Sequence, residues 1–257
     1  MRIVAFATIN CFSDVLEVGV TLNVVLPQVT KSQIGVASRE PAGPPPLLYL
    51  LHGLSDDHSA WMRYTSIERY AAERGLAVVM PAVGRSFYAD ERTGHPYWTF
   101  VSEELPELVA SFVNVTDDPA KTYVAGLSMG GYGTLKLALN HPQRYAAAAS
   151  LSGVADIRGL LAAGEREQLF SRVFAGEIAD SEDPLRLLAQ ADPATLPRLW
   201  IGCGTEDLLF DGNRRFAEQA RAAGAEVTTD FPPGDHEWSL WDAQLPGVLD
   251  FLLDIAP

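Results

Sequence analysis

Basic residues are scarce: 19 Lys and Arg face 33 Asp and Glu, and the 257-residue chain carries a formal net charge of −14. No Lys/Arg cluster offsets this locally, so the surface potential repels phosphate backbones and anionic headgroups, and neither a nucleic-acid nor a membrane partner is expected. Cysteine is nearly absent. Cys11 and Cys203 are too few for a disulfide framework, and Cys203, at the end of an apolar run, reads as a small buried residue rather than a reactive thiol. No stretch approaches the roughly 18 consecutive apolar residues of a spanning helix. Near the start, Asn10, Ser13, Asp14 and Glu17 interrupt the apolar residues before a signal-peptide core could form, so the cytoplasm is the expected compartment. Metal-ligand spacings are missing too: His52 and His58 flank Asp56 and Asp57, with nothing to complete a site. No metal and no cofactor are expected.

With 47% hydrophobic residues the chain can bury one large core, and a single domain over 1–257 is expected. Arg2–Phe12 and Leu16–Leu26 read as paired antiparallel strands, the second stopped by Pro27, with a loop over 28–46. Apolar runs at Leu47–Leu51, Leu76–Met80, Tyr123–Ala125, Ala146–Leu151 and Leu199–Ile201 are too short for helices and too continuous for half-exposed strands. They read as parallel strands buried on both faces. Helical stretches at 61–74, 102–113, 130–140 and 212–223 alternate with them. The pattern predicts a doubly wound, mostly parallel α/β sheet with antiparallel N-terminal strands. The interval 156–192 holds two helical pieces and no strand, and reads as a small helical insertion near the active site. Some of its apolar residues, Phe170 and Phe174 among them, are expected to roof an acyl pocket.

The strongest chemical signal is TYVAGLSMGGYGTLKLALNHP at 122–142, where a short apolar strand meets Gly126-Leu127-Ser128-Met129-Gly130 and then a helix. This is the G-x-S-x-G elbow in the strand–turn–helix context it requires, with the Ser128 hydroxyl projected above the sheet. A serine hydroxyl needs a base, and histidine has the pKa for it. The chain order Ser, acid, His removes His52, His58 and His95, which precede Ser128, while His141 ends the elbow helix about 18 Å away. His236, in the loop PPGDHEW after the strand-like Glu226–Phe231, is therefore the base. The acid that fixes its tautomer should follow a strand between Ser128 and His236. Asp207 is the choice, after LWIGCG at 199–204; spacing alone leaves Glu206 and Asp211 open. Backbone donors for an oxyanion fall at Met129 N–H, next to the nucleophile, and at Leu54 N–H, in His52-Gly53-Leu54 after a strand. His52 is expected to brace that loop. Phe87, Tyr88 and Trp98 read equally as core aromatics or pocket walls.

Several segments together resemble the esterase D family of α/β-hydrolases, which includes S-formylglutathione hydrolases: SDVL (13–16), LYLLHGLSDDHSAW (48–61), RSFYAD (85–90), FVSEELPELV (100–109), GLSMGGYGTLKLAL (126–139) and LSGVAD (151–156). Within that family the chain is most similar to tributyrin-esterase-like members. The resemblance implies an α/β-hydrolase fold, a cytoplasmic homo-oligomer, and a small-molecule ester substrate with a short acyl chain. It also implies Ser128, Asp207 and His236 as triad and Leu54 and Met129 at the oxyanion hole. The alternative is a formylglutathione hydrolase-type thioesterase or acyltransferase using the same triad. Formylglutathione hydrolases typically have a cysteine shortly after the oxyanion loop and a histidine in the elbow helix, where this chain has Ser55-Asp56-Asp57 and Tyr132. SFYAD followed by EELP also resembles the mycolyl transferases. A non-catalytic scaffold would predict a broken triad.

Overall fold

The computed structural model describes residues 2–29, 43–164 and 166–255; most of the loop expected over 28–46 lies outside them. Eight strands form one sheet: β1 (Arg2–Ser13), β2 (Val18–Val29), β3 (Leu47–Leu51), β4 (Ala77–Pro81), β5 (Thr122–Leu127), β6 (Ala147–Leu151), β7 (Arg198–Gly202) and β8 (Val227–Asp230). Their order is β1-β2-β4-β3-β5-β6-β7-β8; β1, β2 and β4 pair antiparallel, and every pair from β4 onward is parallel. β2 does not stop at Pro27, which pairs with Val4. Pro27 lies beyond Leu22–Val25, the stretch of β2 that pairs with β4. One edge of β2 is free there, and a strand tolerates proline at such a position.

The helices are α1 (Ala60–Tyr64), α2 (Ile67–Arg74), α3 (Tyr97–Thr99), α4 (Leu105–Phe112), α5 (Met129–Asn140), α6 (Ile157–Ala162), α7 (Glu167–Phe174), α8 (Pro184–Gln190), α9 (Phe210–Ala223) and α10 (Trp238–Leu252). The helix expected over 61–74 is split at Thr65, whose hydroxyl donates to Trp61 O at 2.5 Å and accepts from Ile67 N–H at 3.1 Å. The helix expected over 102–113 begins earlier, at α3, and reaches α4 through a π-helical turn, Phe100–Glu104.

Alternation along β3 shows how the layers form. Leu47, Tyr49 and Leu51 pack into the core that also holds Leu135 and Ala138 of α5 and Phe216 and Ala220 of α9. Leu48 and Leu50 point into the opposite core, against Ile67 and Ala71 of α2 and Leu245, Val248 and Leu249 of α10. A strand buried on both faces has no polar side to offer, which is why these runs are continuously apolar. The carboxyl ends of β5, β7 and β8 then open at one edge of the sheet, where loops can bring side chains together.

Candidate active site

Ser128 lies between β5 and α5 at φ 53° and ψ −116°, a conformation that L-residues avoid and that persists only where the surroundings over-determine it. The surroundings are tight backbone contacts. A Cβ on Gly126 would lie 2.5 Å from Gly130 O, and one on Gly130 would lie 2.4 Å from Leu51 O, so both flanking positions require glycine. Ser128 N–H donates to Leu151 O at 2.9 Å, fastening the turn to β6. Met129 opens α5, so its N–H has no acceptor within the helix.

His236 and Asp207 come from loops that continue β8 and β7. These loops run side by side: Cys203 N–H donates to Asp230 O at 3.1 Å, Thr205 N–H to Pro232 O at 3.0 Å and Glu206 N–H to Gly234 O at 3.0 Å. The extended pairing sets the register of the two side chains. His236 Nδ1 lies 2.7 Å from Asp207 Oδ2, and His236 Nε2 lies 3.0 Å from Ser128 Oγ. With Asp207 as acceptor, Nδ1 carries the proton and Nε2 is left to accept from the serine hydroxyl. Leu209 N–H donates to the other Asp207 oxygen at 2.8 Å. Burial pushes the Asp207 carboxyl up, but the hydrogen bonds from His236 and Leu209 outweigh it and hold the group below the ordinary carboxylate value. Trp241 sits edge-on to the imidazole at 4.9 Å and is itself anchored through Nε1 to Ser152 Oγ at 3.1 Å.

The alternatives left open by spacing separate here. Glu206 is exposed, and Asp211 is 88% exposed and pairs with Arg214 on α9, so Asp207 is the carboxylate that meets the imidazole. His141 stacks on Trp98 at 5.6 Å, away from Ser128.

His52 does brace the loop after β3. Its Nε2 accepts Val83 N–H at 3.0 Å, so its proton is on Nδ1, which donates to Gly53 O at 2.7 Å. Burial depresses this imidazole to about 4, keeping it neutral. Gly53 O also receives Asp56 N–H at 3.2 Å. Since the peptide is trans, holding Gly53 O on one side directs Leu54 N–H to the other. Tyr88 OH donates to His52 O at 3.0 Å, and Lys136 Nζ on α5 donates to Tyr88 O at 3.1 Å. Lys136 also meets Glu182 at 2.5 Å and lies 4.1 Å over the Trp98 ring, while Tyr132 OH donates to Glu182 Oε2 at 2.9 Å. Burial pulls the Lys136 ammonium down, against the opposing pull of Glu182. The elbow helix, the loop after β3 and the segment before α8 are thereby one polar network.

A cleft of about 580 Å³ exposes Ser128 and His236 beside Gly53, Leu54, Trp238 and Trp241. Phe170 does not line it: the side chain is fully buried against Phe87 at 5.3 Å and belongs to the core. Phe174 packs on the same Phe87 ring and is likewise absent from the cleft lining. Phe87 and Tyr88 are core residues too. From the 156–192 interval the cleft receives Arg166, which lies in no sequence motif, and from the segment after β4 it receives Arg85, which opens the RSFYAD segment but was given no role there. A larger cavity of about 790 Å³ lies at the other end of the strands, against Leu47 and Thr122, the first residues of β3 and β5.

A strained serine at a strand–helix elbow, joined to an imidazole and a buried carboxylate on an eight-stranded α/β sheet, places the chain among the α/β-hydrolases. Residues 13–252 match the family described as "Putative esterase", and the chain belongs to this family of carboxylic ester hydrolases. Among its relatives is an acetyl esterase of Caldicellulosiruptor saccharolyticus, 24% identical over 98% of this chain and 99% of that protein. A solved structure of FphF, a fluorophosphonate-binding serine hydrolase of Staphylococcus aureus, is 32% identical with a TM-score of 0.86, covering 97% of this chain and 98% of that one. An S-formylglutathione hydrolase (FrmB) of the same organism is 31% identical with a TM-score of 0.84, covering 97% and 99%.

Proposed function

We propose that the protein is a serine carboxylesterase that hydrolyses short-chain acyl esters of small molecules through Ser128, His236 and Asp207. The observation that carries this reading is the continuous hydrogen-bonded chain from Asp207 Oδ2 through both imidazole nitrogens to Ser128 Oγ, at 2.7 and 3.0 Å. His236 Nε2 takes the hydroxyl proton as Ser128 Oγ attacks the ester carbonyl carbon, and Asp207 stabilises the imidazolium that forms. The negative charge on the carbonyl oxygen is received by Leu54 and Met129 N–H, which are fixed before the reaction and so need no reorganisation. Collapse expels the alcohol with the proton from imidazolium, leaving an acyl-serine. Water, deprotonated by the same Nε2, then releases the acid and restores the serine.

The short-chain assignment rests on kinship with the acetyl esterase, whose name gives an acyl group of this kind. The second reading, a thioesterase for a formylated thiol, is favoured by the likeness to the S-formylglutathione hydrolase. Both use the same three residues and differ in the leaving group.

Ser128→Ala tests the shared chemistry. The variant should fold, lose several powers of ten in kcat on p-nitrophenyl butyrate, and escape labelling by a fluorophosphonate probe that modifies the parent. Equal labelling of both proteins would remove Ser128 from the mechanism. Parallel kcat/KM measurements on butyryl oxygen esters and on S-formylglutathione then decide between the two leaving groups.

A further inference from the structure

In a chain of net charge −14, two arginines from distant segments meet at the cleft that holds Ser128: Arg85, after β4, and Arg166, at the start of α7. Both are exposed, and among the described residues neither guanidinium is paired with a carboxylate, whereas Arg74, Arg158, Arg172, Arg214 and Arg215 all are.

Arg166 stands against two local preferences. It caps α7 with φ 64°, a left-handed conformation costly for a residue with a Cβ. It also places a cation at the positive end of the helix dipole. Its carbonyl accepts from Leu169 and Phe170 N–H, so the backbone alone serves the helix and the side chain is not used as a cap. Rules broken locally without a structural return mark functional positions.

Arg85 lies in a similarly strained stretch, with positive φ at Gly84, Phe87 and Tyr88. The two positions are held at a fixed separation by α7 itself. Arg172 on that helix donates to Arg85 O at 3.0 Å and pairs with Glu91, while Arg92 N–H donates to Val173 O at 2.9 Å and Thr93 N–H to Arg172 O at 3.2 Å. The brace fixes where the two side chains leave the backbone, so that both guanidiniums can reach one planar anion in the cleft.

Resting on the esterase reading above, we infer that the substrate is an ester bearing a carboxylate, received by Arg85 and Arg166 while the ester group sits at Ser128. Asp56 is the acidic residue lining the same cleft; it packs beside Gly53, where a Cβ would lie 2.8 Å from Asp56 Oδ2, on the side of the loop after β3. A carboxylate entering the cleft is repelled there and drawn to the arginines, which gives the substrate a single orientation.

The test compares matched substrates in two arms. On the acyl side, p-nitrophenyl hemiglutarate is set against p-nitrophenyl valerate. On the alcohol side, the butyrate ester of 4-hydroxybenzoate is set against that of 4-hydroxybenzamide. Spontaneous rates are subtracted throughout. Exposed guanidinium–carboxylate contacts are each worth a few-fold, so the parent should prefer the carboxylate in one arm by up to about tenfold in kcat/KM at low salt. That ratio should fall towards one in Arg85→Gln/Arg166→Gln and in high salt, and should stay at the parental value in Arg69→Gln, which removes a positive charge far from the cleft. The arm that shows the preference identifies the half of the ester carrying the anion. No preference in either arm, with neutral esters still hydrolysed through Ser128, overturns the anion assignment and leaves the esterase reading intact. Parental rates in Ser128→Ala would instead overturn the esterase reading.

Discussion

His52 is buried, neutral and bonded at both ring nitrogens, so its protonation should cost the fold a measurable amount. In the unfolded chain this imidazole titrates near 6.5, and in the folded protein at about 4. That difference corresponds to about 3 kcal/mol. The folded value lies below the unfolded one, so the contribution is fully present above pH 6.5 and is lost as pH falls from 6.5 towards 4. His52→Leu removes the titration and the bracing together. Val83 N–H loses its buried acceptor, which costs about 1–3 kcal/mol at neutral pH. Gly53 O keeps only the Asp56 donor, so the Leu54 N–H becomes less firmly aimed. Complete loss of one oxyanion donor costs about 10²–10³ in kcat, which is the ceiling here, and kcat should fall with little change in KM. Urea denaturation of parent and variant at intervals between pH 7.5 and 4 is the assay. The stability difference between them should shrink as pH falls, because the parent loses the His52 contribution and the variant has none to lose. His52→Asn keeps a donor near Gly53 O and should recover part of kcat while retaining the flat pH response. Parallel stability curves for parent and His52→Leu would refute the buried neutral imidazole, and an unchanged kcat would refute its hold on the loop.

Asp207→Asn should lower kcat by about 10⁴, because an amide does not fix the imidazole tautomer, whereas Glu206→Gln and Asp211→Asn should stay within a few-fold in the same esterase assay. Lys136→Met leaves the Glu182 carboxylate without its cation, with the Tyr132 hydroxyl as a neutral donor, in a nearly closed site, and should cost about 3–5 kcal/mol in urea denaturation. A Lys136→Met/Glu182→Leu double variant should recover much of that loss, and failure to do so would mean that the pair is not the source. Phe170→Ala should cost about 3–5 kcal/mol through the cavity it leaves against Phe87, while the acyl-length profile on p-nitrophenyl esters from acetate to decanoate keeps the parental optimum. A shifted optimum would return Phe170 to the acyl pocket.

What the sequence made legible follows from how each signal arises. A strand buried on both faces must be continuously apolar, and β3 and β5 could be read on that ground alone. The elbow is legible because the close approach of Gly126 to Gly130 O and of Gly130 to Leu51 O admits no other residue. Chain order and strand ends singled out His236, and Asp207 became separable from Glu206 and Asp211 only once the β7 and β8 loops were seen to run side by side. Helix α10 went unread because Pro246 and Gly247 look like a break; burial of Trp241, Leu245, Val248, Leu249 and Leu252 against the back of the sheet overrides that local signal. Phe170 shows the same limit from the other side. An apolar stripe reveals that a helix face is covered, and the covering partner, here Phe87 rather than an acyl chain, is a tertiary fact.

The cleft arginines are legible in a different way. Arg166 belongs to no motif, and Arg85 opens RSFYAD without that segment marking it for binding, because binding selectivity needs a charge at a point in space and not at a spacing along the chain. Yet Arg166 leaves a trace: it starts a helix where Ser, Thr, Asp or Asn would be favoured, and it carries the charge that the helix dipole disfavours. Such a trace becomes readable only once the helix start is known, since the same residue one turn later would be ordinary. The residues that perform the reaction therefore announce themselves through geometry that few sequences can satisfy, whereas those that choose the substrate appear as small violations of local preference, visible against a known backbone.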